Sequence, residues 1–262
     1  MKFKFIPAAL LSVVALTLTG CSASSATDDS LTSVLDSGTL TIGTEGTYRP
    51  FSFHEGGSGE LTGYDVEVAR AVAAELGVDV AFEETQWDGI FAGLTAGRWD
   101  TIANQVSITP ERLDAYAFST PYTYSTGVIV VPADNTSITS FSSLDGLTTA
   151  QSLSSNWYTL ATESGANVQS IEGWAQSVAL VEQGRVDATV NDKLTFLDYQ
   201  KTNGADNLKI AAETEERSES AFAFAKDGTA LADAVSEALA TLSNDGTLAE
   251  LSDKYFGADV SQ

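Results

Sequence analysis

The 262-residue chain has one cysteine, one histidine and only 13 lysines and arginines against 36 aspartates and glutamates. The lone Cys21 forbids an intramolecular disulfide. The lone His54 sits in the polar turn "HEGGSGE". With no "HExxH" pattern and no cysteine pair, a zinc site or a histidine-based catalytic triad is excluded as a reading, and no metal or cofactor is expected. Scarce cations argue against nucleic acid and anionic lipid, which are recognised through clustered Lys and Arg. "GGSGEL" lacks the Lys and the Ser or Thr that complete a phosphate loop. Beyond the N-terminus no apolar run approaches the ~20 residues of a spanning helix.

Hydrophobic residues make up 43% of the chain and aromatics are spread along it, enough for one large folded domain or two small ones. The net charge of −23 reads as a solvated surface. The chain opens "MKFKFIPAALLSVVALTLTGC". Lys2 and Lys4 precede an apolar run of about a dozen residues, the length of a signal peptide's apolar region. Residues 1–20 are therefore expected to be an export signal. Leu18-Thr19-Gly20-Cys21 resembles the lipobox of bacterial lipoproteins, which implies that Cys21 is lipidated. That gives an exported protein's single thiol a use. The small, polar "SASSATDDSLTS" that follows suggests a flexible tether over 21–37. The folded part is then held at a membrane surface outside the cytoplasm.

From residue 40 onward, short β-rich runs alternate with helical periodicity. "LTIGTE", "DVAFEET" and "TIANQ" read as strands. In "YDVEVARAVAAELG", Val68, Val72 and Leu76 fall at i, i+4, i+8 with Gly77 as the stop. A second series follows "STGVIVVP", including "TTAQSL", "NVQSIE" and "DATVND" as strands and "GWAQSVALVEQG" as a helix with Trp174, Val178 and Val181 on one face. A last helix carries Leu231, Val235, Leu239 and Leu242. The alternation predicts an α/β protein with largely parallel sheets, in two lobes. Ligands of such sheets bind beyond the carboxyl ends of the strands. That points to "TEGTY", "NQVSITPER", "SLSSNW" and Asn191-Asp192.

In "SITPER", Thr109 suits an N-cap, Pro110 the first helical position and Glu111 the first turn. Arg112 then adds positive charge to a helix end that is already positive. Two positive features converge sensibly on an anion, such as a carboxylate held by the guanidinium fork and main-chain N–H groups. Pairing of Arg112 with Glu111, Asp114 or another surface acid is the alternative.

The stretches "TYRPFSF", "LTGYDVEVARAVAAELG", "WDGIFAGLTAGRWDTIANQVSITPER", "FSTPYTYS", "GRVDATVND" and "DGTLAELSDKYFGADV" resemble the solute-binding proteins of ABC importers for polar amino acids. The likeness runs from about residue 38 to 258. "GTEGTYRPFSF", "WDGIFAGL", "NQVSITPER" and "SDKYFGADV" are most similar to cystine-binding members. The resemblance implies a two-lobe periplasmic-binding-protein clamshell. Lobe 1 spans 38–125 plus 220–262 and lobe 2 spans 126–219, joined by two crossing strands near 123–127 and 214–220. It also implies a monomer that delivers an amino acid, L-cystine above others, to a membrane permease.

By the same resemblance, Arg112 clamps the ligand's α-carboxylate, with Ser107 assisting. The Gln105 carbonyl and Asp192 take the α-ammonium. Ser155 and Asn156 help hold the carboxylate, Tyr48 and Trp87 sandwich the side chain, and Glu45 meets a cationic group at the far end. The family commonly has Gly-Thr where this chain has Ser154-Ser155. No cation is evident for a distal carboxylate. Trp99, Trp157 and Trp174 are assigned to the core, and Asp192 is also placed to cap the helix beginning at Lys193. The clamshell resembles periplasmic dehydratases acting on prephenate or arogenate too, in which Glu45 and Asp192 could do acid–base work. A receptor for another polar or basic amino acid, or one that reports occupancy to a membrane partner, stays open.

Overall fold

The structure is a computed structural model and describes Met1 and residues 28–262. The expected export signal and Cys21 lie outside the described residues. The helices are α1 (Ser30–Ser37), α2 (Tyr64–Leu76), α3 (Trp87–Thr95), α4 (Pro110–Ala115), α5 (Asn156–Glu163), α6 (Gly173–Glu182), α7 (Lys193–Asn203), α8 (Thr229–Asn244) and α9 (Thr247–Phe256).

In the first lobe the strand Thr39–Thr44 pairs in parallel with Asp79–Glu84 on one side and Thr101–Ile102 on the other. Ala223–Ala225, arriving from the far end of the chain, pairs antiparallel with Thr101–Ile102 and with Tyr116–Phe118. The sheet is therefore mixed, where alternation alone suggested a largely parallel one. The reason is topological, since a returning strand can enter the sheet in the opposite sense. Helix spacing behaves as its periodicity demands. Val68 and Val72 of α2 and Leu231, Val235, Leu239 and Leu242 of α8 share one core, and Gly77 ends α2 at φ 73°. In the second lobe Gly127–Pro132 is flanked antiparallel by Thr189–Asp192 and Leu208–Glu213. The neighbouring pair Thr148–Gln151 and Asn167–Ser170 is parallel. Trp174, Val178 and Val181 of α6 enter one core of this lobe.

The two segments expected at the crossings meet as Thr123–Ser125 and Ser218–Ser220, paired antiparallel with Ser125 opposite Ser218. Beside them the Thr214 N–H donates to Gly127 O at 2.8 Å. Two short extended segments bonded to each other suit a hinge, because small backbone rotations in both move one lobe over the other.

The tether expected over 21–37 is corrected at residues 30–37. Residues 30–37 form α1, with Val34 buried in the first lobe's core and Leu31 packed against it. Asp28 fixes the entry, since its Oδ2 accepts from Ala230 N at 2.6 Å and from Thr229 Oγ1 at 3.0 Å at the start of α8. A carboxylate over the free N–H groups of a helix start is favourable, and the hydrogen bond from the Ser30 hydroxyl first, then that from Ala230 N–H, hold the Asp28 carboxyl down at about 2. The polar composition of the segment concealed the single apolar stripe that docks it.

Candidate ligand-binding site

Arg112 answers the charge question raised by "SITPER". Thr109 caps α4 by accepting from Arg112 N at 3.2 Å, with Pro110 at the first helical position. The side chain turns inward rather than toward a surface acid. It is 8% exposed, donates from Nη1 to Ser107 O at 2.9 Å, and reaches across the cleft from Nη2 to Ser154 O at 3.4 Å. Its guanidinium lies 5.3 Å from the Trp87 ring centre and 5.2 Å from that of Phe91. Among the described residues it has no ion-pair partner. Burial pulls its pKa down to about 10, so it stays charged at neutral pH.

The second lobe supplies the opposite charge. Asp192 ends the strand Thr189–Asp192 and caps α7, accepting at Oδ1 from Leu194 N at 2.8 Å and from Ser125 Oγ at 2.7 Å. Capping is thus one of its jobs. Its Oδ2 faces the first lobe, where Gln105 Nε2 donates at 3.5 Å. Burial raises its pKa to about 6 despite these bonds. Gln105 has φ 49°, the left-handed region that costs a non-glycine residue energy. Its N–H is held by the fully buried Asp65, whose own pKa burial pushes up to about 7. Gln105 Oε1 is left without a partner.

A cavity of about 40 Å³ lies between the lobes. Glu45, Tyr48, Trp87 and Gln105 line it from the first lobe, with Ser155 and Asn156 from the second. Arg112, Ser107 and Asp192 stand behind that wall, linked to it by the contacts just given. Ser155 is the N-cap of α5, accepting from Tyr158 N at 3.0 Å. Tyr48 spans the cleft, donating to Asn191 Oδ1 at 2.8 Å and accepting from Thr195 Oγ1 at 3.0 Å. Glu45 Oε2 accepts from Asn104 Nδ2 at 2.5 Å. Its Oε1 faces Gly173, where a Cβ would come within 3.9 Å, and Gly173 is at φ 75° opening α6, a conformation glycine adopts freely. Burial first, then the nearby Glu172 and Asp88 charges, push Glu45 up to about 7.

Among the cavity residues Gln151 was not foreseen, while Asn104, Ser152 and Asn191 fall in the loops singled out but had been given no role. Trp157 and Trp174, assigned to the core, also line the cavity, although Trp174 packs into the second lobe's core as well. Trp99 alone of the four tryptophans does not line the cavity, and is seated with Ile90 and Leu94. The Ser154 substitution has a visible use. Its N–H and Oγ both donate to Asp88 Oδ1 of α3, at 2.9 and 2.6 Å, joining the lobes across the cleft.

Two α/β lobes hinged by paired strands, with a buried guanidinium behind one wall of the cleft and a buried carboxylate behind the other, make a clamshell receptor for a small polar solute. The chain belongs to the bacterial extracellular solute-binding proteins, family 3, which it matches over residues 40–258. It is 50% identical over 230 residues to the L-cystine-binding protein TcyA of Bacillus subtilis (strain 168), covering 88% of this chain and 85% of that one. The L-cystine solute receptor of Neisseria gonorrhoeae, in its unliganded open conformation, is 44% identical, with 88% of this chain and 99% of that one covered and a TM-score of 0.60. An ancestral arginine-binding protein bound to arginine is 34% identical, with 84% and 99% covered, yet superposes better, at a TM-score of 0.78. In the arrangement here the lobes are joined by hydrogen bonds across the cleft, from Tyr48 to Asn191 and from Ser154 to Asp88.

Proposed function

We propose that this protein is the extracytoplasmic amino-acid-binding component of an ABC importer, that its ligand is L-cystine, and that it delivers the ligand to a membrane permease by clamshell closure. The observation that carries the reading is the pairing of an uncompensated buried cation, Arg112, with a buried acid, Asp192, on opposite lobes. A free amino acid is a zwitterion and bridges such a pair, with its carboxylate at Arg112 and its ammonium between Asp192 and the Gln105 backbone. An empty closed cleft leaves both charges poorly matched, so closure is favoured when ligand is present. Glu45, with Tyr48 and Trp87 beside it, receives the ammonium at the far end of cystine. The names of two relatives point to the same ligand.

In this reading lobe 1 is 38–125 plus 220–262 and lobe 2 is 126–219. Cys21 is the lipidated anchor, the protein works as a monomer, and it performs no chemistry on its ligand. Calorimetric titration of residues 22–262, freed of bound ligand, with L-cystine, L-cysteine under reductant, L-glutamine and L-arginine tests it. Binding at about −8 kcal/mol or tighter for cystine alone is expected. Preference for another amino acid removes the cystine assignment; silence from all four, or turnover of a cyclohexadienyl acid, removes the transport reading.

A further inference from the structure

We infer that Gln151 reads the second carboxylate of the ligand through its neutral amide, doing the work that a cation does at the first. The inference rests on the cystine reading above. Gln151 closes the strand Thr148–Gln151, is 2% exposed and lines the cavity. Its Oε1 accepts from Thr149 Oγ1 at 2.9 Å, which orients the amide and leaves Nε2 buried with no partner. A buried amide donor without an acceptor is costly; it calls for an acceptor that arrives with the ligand.

Three observations identify that acceptor as a distal carboxylate. First, no lysine or arginine lines the cavity. Arg112 is committed to the α-carboxylate end, and Lys193 is paired with Glu213 at 2.8 Å. A second anionic group must therefore be met by neutral donors. Second, the other fully buried cavity donor without a partner, Trp87 Nε1, belongs to the ring beneath the Arg112 guanidinium and so to the proximal end. Third, Gln151 is built into the Glu45 end. Its carbonyl accepts from Ile171 N at 3.1 Å, and the next residue, Ser152, accepts at Oγ from Gly173 N at 3.0 Å. Gly173 is the residue that faces Glu45 Oε1. Glu45 and Gln151 thus present an acid and a donor to the same end of the ligand, as its far zwitterion requires.

The test compares L-cystine with the mixed disulfide of L-cysteine and cysteamine, which keeps the first zwitterion, the disulfide and the distal ammonium but lacks the distal carboxylate. Wild-type protein should prefer cystine by about tenfold or more, the scale of a lost specific hydrogen bond to a charged group. Gln151→Met should remove that preference by weakening cystine alone, leaving the mixed disulfide within about twofold of wild type. Gln151→Glu keeps an acceptor for Thr149 but turns only oxygens to the cavity, and should weaken cystine further still. The ratio of the two affinities within one variant does not depend on how much of it is folded. Equal losses for both ligands overturn the inference, because Gln151 then serves the shared half or the fold. A gain with Gln151→Glu overturns it too, because the amide oxygen then faces the ligand. Wild-type titration with cystine reports separately on the functional reading, and its absence overturns both.

Discussion

Arg112 should be a residue whose removal strengthens the empty protein while destroying its function. The guanidinium is buried without a carboxylate partner, and burial pulls its pKa down to about 10. A folded-state pKa below the unfolded one means that folding disfavours the charged form. The penalty is complete at every pH below about 10 and is relieved only as pH rises through that value. At about 1.4 kcal/mol per tenfold change in proton affinity, it amounts to ~3 kcal/mol. Against it stand two cation–π contacts of ~0.5–1 kcal/mol each, the hydrogen bond to Ser107 O, worth ~1 kcal/mol, and the long, weak one to Ser154 O. Arg112→Met keeps much of the apolar volume and should therefore leave the ligand-free protein about 1 kcal/mol more stable, a rise of about 2–4 °C in Tm for a chain this size. Breaking a buried charge pair costs ~3–5 kcal/mol, so affinity should fall by about two to four powers of ten. Thermal melts with and without saturating cystine read both quantities at once: a higher baseline Tm and no ligand-induced shift. A variant that melts earlier when empty and still binds within about threefold of wild type refutes the reasoning.

Glu45→Gln should weaken cystine about tenfold or more, through loss of a charge-assisted bond to the distal ammonium, and weaken a simple neutral amino acid far less; equal effects in calorimetry dispose of the distal role. Burial holds Glu45 at about 7 and Asp192 at about 6, so below those values the empty site carries extra protons, which arriving ammonium groups displace. Affinity should therefore climb from pH 5 to 7 and flatten above, with proton release seen as a buffer-dependent enthalpy at pH 6; affinity falling across that window contradicts the assignment. Asp88→Ala removes both cross-cleft bonds to Ser154 and should speed ligand release about three- to tenfold in stopped-flow, whereas Ser154→Gly, which keeps the N–H, should lose about half that effect; unchanged release rates mean that closure does not use this contact.

What could be read in advance was whatever local periodicity and capping control. The faces of α2, α6 and α8 follow from 3.6-residue spacing, and the start of α4 from Thr109 and Pro110. The direction of Arg112 did not follow, since its neighbours Glu111 and Asp114 offered equal local satisfaction; only the fold of Ser107 beneath it and of Phe91 and Trp87 beside it turns it inward. Gln151 escaped notice, and Asn191 and Trp157 were given no ligand role, because they belong to one lobe and acquire a role only where the other lobe meets them. A signal for Gln151 was present nonetheless, as a large polar residue ending a strand that is otherwise buried. The docking of Ser30–Ser37 depended on contacts with residues some 200 positions away, which no local pattern carries.

The indole rings have a practical consequence. Trp87 faces the cavity from one lobe and Trp157 and Trp174 face it from the other, while Trp99 does not line it and sits in the core behind Trp87. The molecule is thus its own optical gauge. Three emitters change polarity as the lobes meet around a disulfide, a fourth supplies a steady reference, and the chain needs no attached dye for occupancy to be followed in real time.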